Sequence, residues 1–117
     1  MTTIQADAPV ATLINVFTVE PARQAELVAA LNQATEQLFV GIPGFVSANI
    51  HASLDGARVV NYAQWASPEH FQAMLQRPDA QQHMGEIMRI ADNTEPRLFI
   101  VCATHSVSAA TTPPAGR

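Results

Sequence analysis

The run VVNYAQW at residues 59–65, followed by ASPEHF at residues 66–71, decides how this chain folds. Alternation puts Val59, Asn61, Ala63 and Trp65 on one face of a strand and Val60, Tyr62 and Gln64 on the other. Ser67 followed by Pro68 is an N-cap with a first-turn proline, so a helix opens two residues after the strand. A strand rises about 3.4 Å per residue, which sets the Asn61 amide and the Trp65 indole roughly 13 Å apart along one wall, the dimension of a small-molecule pocket. Asn15, in LINVFTV, is a second polar residue inside a run that otherwise reads as core strand. Buried amides need partners, so these asparagines are either satisfied by protein or await a ligand.

Working outward, the chain reads as one βαββαβ unit. A first strand runs from about Ala11 to Val19, and Pro21 suits the first turn of a helix with the apolar stripe Leu27, Leu31, Ala34 and Leu38. Gly41, Pro43 and Gly44 turn the chain into strand 2, Phe45 to Ser53, and Asp55-Gly56 reverses it into strand 3. The helix opened by Ser67 turns Phe71, Met74 and Leu75 inward and is broken or kinked at Arg77-Pro78. Its continuation carries Ala80, Met84, Ile87 and Ala91, and Pro96 precedes strand 4, Leu98 to Thr104. The predicted domain spans residues 10–106, with residues 1–9 and the Ser-, Thr- and Pro-rich residues 107–117 as flexible termini. Two helices cover only one face of a four-stranded sheet, yet strands 1, 3 and 4 are apolar on both. A second copy of the sheet is the economical cover, which predicts a face-to-face homodimer with the pocket on the helix side of each subunit.

Composition narrows the function. At 117 residues the chain fits one domain. Its net charge is −4 and its six arginines are scattered, which argues against a nucleic-acid partner. Lysine is absent, removing Schiff-base chemistry and the phosphate-loop lysine. No apolar run approaches membrane-spanning length and the start has no signal-peptide pattern, so a soluble cytoplasmic protein with no membrane partner is expected. The single cysteine, Cys102, reads as a small buried hydrophobe in LFIVCA. There is no dinucleotide loop, nucleophile elbow or pair of carboxylates on one element, so an enzyme here leaves the difficult chemistry to its substrate.

The histidines are ambiguous. A two-residue Asp55-Gly56 turn pairs Ile50 with Asn61 and sends His51 to the face away from the pocket. A three-residue Leu54-Asp55-Gly56 loop, favoured because it fits a type I turn with a glycine bulge, pairs Asn49 with Asn61 and puts His51 on the pocket wall. His83 lies at the edge of the second helical stripe, as a cavity acid/base, an axial ligand or a partly exposed helix histidine. His70 and His105 form no metal-ligand spacing with other candidates, so no metal site is expected.

The segments LINVFTV, the Pro43–Phe45 PGF turn, HAS at His51, VVNYAQW with its helix, and RPDAQQH ending in His83 together resemble the antibiotic biosynthesis monooxygenase family, over about Ala11 to Ser106. The resemblance implies a ferredoxin-like α+β fold with a four-stranded antiparallel sheet, paired into a dimeric α+β barrel. HAS, a turn, then VVNYAQW is most similar to the quinone-forming monooxygenases of aromatic polyketide pathways. Those enzymes use no flavin, haem or metal: a deprotonated anthrone or phenol passes an electron to O₂, recombines with it at carbon and loses water to leave a quinone. The resemblance assigns catalytic roles to Asn15, Asn61 and Trp65 and substrate contacts to His51, Phe71, Met74 and His83. The amides would stabilise the substrate anion, Trp65 would orient the ring and donate its N–H, and His51 could move the proton. Two positions depart from that subgroup, Phe71 standing for a tyrosine and Met84 for an arginine. The same family includes haem-degrading monooxygenases, whose distal asparagine falls on Asn15 and whose haem ligand falls on His83. Met74 stands where those enzymes carry a tryptophan. A non-catalytic ligand-binding dimer is the third reading.

Overall fold

The computed structural model describes residues 2–107. Its elements are β1 (Ala11–Thr18), α1 (Gln24–Gln37), β2 (Phe45–Ala52), β3 (Arg58–Trp65), α2 (Pro68–Leu75), α3 (Pro78–Ile87) and β4 (Asn93–Phe99). The strands form one antiparallel sheet in the order β2-β3-β1-β4, the ferredoxin-like α+β arrangement. The β1–β3 register sets Leu13 opposite Ala63, Asn15 opposite Asn61 and Phe17 opposite Val59, all on the face the helices cover.

Local chemistry explains where the elements start and stop. Pro21 opens a 3₁₀ turn that leads into α1, which buries Leu27, Leu31 and Ala34. Gly44 has φ +88°, and a Cβ there would overlap the His70 ring. That close approach lets the Ala66 N–H reach the Gly44 carbonyl at 2.7 Å and sets the entry to α2 over the start of β2. Ser67 caps α2, its hydroxyl oxygen accepting from the His70 N–H at 3.1 Å. Arg77 is extended at ψ 129°, as a residue before proline prefers, so α2 and α3 are separate helices.

The core lies between the helices and one sheet face. Phe17, Val59, Leu27 and Ile87 are at most 1% exposed, each contributing about 1.5–3 kcal/mol of burial, so the sandwich is most tightly closed at this end. A second cluster joins Leu13, Ala63 and Trp65 to Ile42, Phe71, Met74 and Ala80.

Several expectations need correction. The fourth strand begins at Asn93 and ends at Phe99, five residues ahead of the span predicted from hydropathy. β4 is an edge strand, so Pro96 loses no ladder bond that matters there, and Glu95 and Arg97 face water. Cys102 follows the strand and is exposed. Thr2 and Thr3 meet the sheet face away from the helices: Thr2 and Asn49 exchange side-chain hydrogen bonds of 3.0 and 2.7 Å, and Gln64 Nε2 donates to the Thr3 carbonyl at 2.7 Å. Thr12 and Gln64 are buried on that face, and Ile14, Val16, Val60 and Tyr62 are half-buried on the rest of it. Of the predicted flexible C-terminal segment, residues 108–117 lie outside the described residues. Among the described residues no helix is long and apolar enough to cross a membrane.

Candidate active site

A cavity of about 470 Å³ opens between the sheet and the helices. The central strands supply one wall: Leu13, Asn15 and Phe17 from β1, and Asn61, Ala63 and Trp65 from β3. Phe71 and Met74 of α2 and Met84 of α3 form the opposite wall, and Thr94 of β4 reaches in from the sheet edge.

The indole of Trp65 is held on two sides. Its ring meets Phe45 edge-on, with centroids 5.6 Å apart and planes at 90°, and Phe71 at 6.2 Å and 66°. Such a clamp gives the side chain one position. Yet Trp65 Nε1 and Asn61 Oδ1 are buried without a hydrogen-bond partner. Each orphaned group costs about 1–3 kcal/mol, a cost that protein cores avoid and ligand sites carry. Asn15 differs: its Oδ1 accepts a 2.6 Å bond from the Thr94 hydroxyl. Thr12 Oγ1, the third orphan among the described residues, is on the far face of the sheet.

The wall is poor in charge. Arg97 is its one ionisable residue, and the register directs its side chain to the far face beside Ile14. A guanidinium accepts no proton, so the described wall holds no general base. The resolved pKa shifts are all outside the cavity, on exposed groups. Arg23 with Glu26 and Arg77 with Asp79 form surface ion pairs whose direct hydrogen bonds lower the carboxyl values. Asp55 is lowered by the Ala57 N–H and the Ser53 hydroxyl.

Of the seven residues expected at the site, five line the cavity: Asn15, Asn61, Trp65, Phe71 and Met74. His51 does not. Ile50 pairs with Asn61 and His51 with Val60, so His51 is exposed on the opposite face, its Nδ1 3.1 Å from the Asn49 carbonyl oxygen. The loop itself explains the register. Ser53 and Arg58 close it through a 3.0 Å bond from the Ser53 N–H to the Arg58 carbonyl, and Gly56 takes φ +81° within a four-residue connection. His83 is half-buried but is not part of the wall. Successive helix residues are about 100° apart, and the buried Ala80–Ile87 stripe separates His83 on one flank from Met84 on the cavity flank. A haem in this cavity would therefore lack the expected axial ligand, and the residues present do not fit that group. Among the described residues no three His, Cys, Asp or Glu side chains gather to hold a metal ion.

Sequence reasoning missed Thr94, Phe45 and the rim residue Gln72. Thr94 fell in a stretch read as the loop before strand 4. The signal available was that a Pro-containing segment makes an acceptable edge strand.

The chain is similar to known proteins in both sequence and fold. The family model described as antibiotic biosynthesis monooxygenase matches residues 11–86. Tetracenomycin-F1 monooxygenase of Streptomyces glaucescens is 43% identical over 109 residues, covering 93% of this chain and 95% of that protein. Among solved structures, the monooxygenase ActVA-Orf6 of Streptomyces coelicolor, in complex with nanaomycin D, superposes with a TM-score of 0.76 at 26% identity, covering 84% of this chain and 92% of that one. SnoaB of Streptomyces nogalater, a cofactor-independent oxygenase, gives 0.69 at 28% identity, covering 83% and 97%.

Proposed function

The chain belongs to the antibiotic biosynthesis monooxygenase family, and from that premise we propose that it oxidises a reduced polycyclic aromatic, an anthrone or hydroquinone, to a quinone with O₂ and no cofactor. It is a monooxygenase acting on an aromatic intermediate; the anthrone or hydroquinone class and the residue roles are the proposal. One observation carries the residue assignment: Asn61 Oδ1 and Trp65 Nε1 are orphaned on the wall of an apolar, aromatic-lined cavity whose described residues supply no proton acceptor.

The chemistry balances without an external reductant. An anthrone loses a proton from a CH₂ flanked by aromatic rings, or a hydroquinone-like phenol loses its O–H proton and reacts at the ring C–H para to that oxygen, and the anion passes one electron to O₂. The two radicals combine at carbon, the peroxide takes up a proton, and loss of water converts that carbon to C=O, one oxygen atom entering the product and the other leaving as water. Asn15 and Asn61 stabilise the anionic oxygen through their NH₂ ends, the unpartnered Asn61 Oδ1 accepts from a substrate hydroxyl, Trp65 donates to a substrate or peroxide oxygen, and Phe71 and Met74 hold the rings in a dry enclosure where those donors act most strongly. The protein acts in the cytoplasm as a homodimer, supported by the half-buried Ile14, Val16, Val60 and Tyr62 and by Phe99, 44% exposed, on one uncovered face.

The test is oxygen uptake with dithranol or a related anthrone in metal-free buffer. Protein, substrate and air should suffice, with a quinone as product. Uptake no faster than buffer alone across a panel of anthrones and naphthohydroquinones would sink the reading.

A further inference from the structure

An amide side chain has two ends of nearly equal size and opposite polarity, and a cavity lined by amides works only if the right end faces inward. The carbonyl end of Asn15 is committed: Oδ1 accepts a 2.6 Å bond from the Thr94 hydroxyl, and Asn15 is 5% exposed. The NH₂ end is what remains to meet a ligand. Pro96, directly across the β1–β4 ladder from Asn15, has neither an N–H nor a polar side chain, so the task falls to Thr94, its diagonal neighbour two residues earlier on the same face. Asn61 has no such clamp, since its Oδ1 is unpartnered.

We propose that Thr94 is a positioning residue: its hydroxyl locks the Asn15 amide with N–H toward the cavity, so that this wall favours an anionic aromatic oxygen over its neutral counterpart. This rests on the reaction proposed above. Without Thr94 the Asn15 side chain can rotate about its last bond and offer C=O, which repels the anion that the locked form attracts. Thr94 touches no substrate in this scheme; it acts through Asn15.

Trp65 is the chain's single tryptophan and lies in the cavity, so its fluorescence reports binding without turnover. The experiment titrates wild type, Thr94→Val, Thr94→Ala and Thr94→Ser under nitrogen with alizarin, ionised at mildly alkaline pH, and with its neutral 2-methyl ether. Wild type should prefer the anion. Both Thr94→Val and Thr94→Ala should lower the anion-to-ether affinity ratio about tenfold, the value of one hydrogen bond of roughly 1.4 kcal/mol, while Thr94→Ser retains it. In an Asn15→Ala background Thr94→Val should change nothing further. An unchanged ratio, equal loss for both ligands, failure of serine to rescue, the same effect in the Asn15→Ala background, or no anion preference in wild type would overturn the assignment. Oxygen uptake is measured separately. A ratio that shifts in a protein without turnover leaves Thr94's role standing and removes the proposed reaction; turnover with an unshifted ratio does the reverse.

Discussion

Asn15 and Asn61 stand directly opposite each other across the β1–β3 ladder, on the face that the helices cover. Placing two amides side by side in an apolar sheet serves packing poorly, since each carries polar atoms that need partners. It serves an oxygen-bearing substrate well.

Replacing Asn61 by Ala should lower kcat by about 10- to 1000-fold if the amide acts as an oxyanion donor. The same change removes an orphaned acceptor, so the melting temperature should hold or rise. Anthrone kinetics and a thermal melt on one preparation check both. A stability loss with kcat intact would make Asn61 structural.

Trp65→Phe keeps an aromatic ring between Phe45 and Phe71 while deleting the unpartnered N–H together with part of the indole. The volume lost is modest, so stability should change by about 1.5 kcal/mol or less. The oxidation rate should fall about tenfold or more, as for removal of an oxyanion donor. Full rate in Trp65→Phe would show that the indole serves only as a wall.

His51→Ala and His83→Ala should leave anthrone oxidation within a factor of about two of wild type, as surface substitutions away from a site generally do. Titrated haemin should give no sharp Soret complex that His83→Ala abolishes. A one-to-one complex lost in that variant would bring His83 back into the site.

Gly44→Ala should destabilise the fold by about 2–4 kcal/mol, because alanine is strained at φ +88° and its Cβ meets the His70 ring. His70→Ala should recover the part due to overlap but not the part due to φ. Chemical denaturation of the two single variants and the double measures this, and full recovery in the double would leave φ without a cost.

Legibility in the sequence followed the strength of the local signal. Period-2 alternation in VVNYAQW and LINVFTV sufficed to place Asn15, Asn61 and Trp65 on one face, because a core face leaves a strand no choice of side. Ser67-Pro68 and Arg77-Pro78 announced the helix boundaries through proline chemistry that tertiary packing did not override. His51 was misplaced because its side of the sheet depends on the register set by the Ser53–Arg58 connection. Asp55 stabilises that turn through its own hydrogen bonds to Ser53 and Ala57, which loop length alone does not reveal. β4 was displaced because hydropathy found LFIVCA and passed over the exposed Glu95, Pro96 and Arg97 of an edge strand. Thr94 was lost with it. His83 and Met84 are neighbours in sequence, and only the packing of α3 decides which flank meets the cavity.

The charge-poor wall has one further consequence, for how the proposed enzyme senses its surroundings. With no side chain among the described cavity residues to take up a proton, the rising limb of a pH–rate profile belongs to the bound molecule. Exchanging one anthrone for a more acidic one should slide the whole curve toward lower pH with the protein unaltered. The acidity of the metabolite, set by the substituents that earlier steps place on its rings, becomes the setting at which this catalyst switches on.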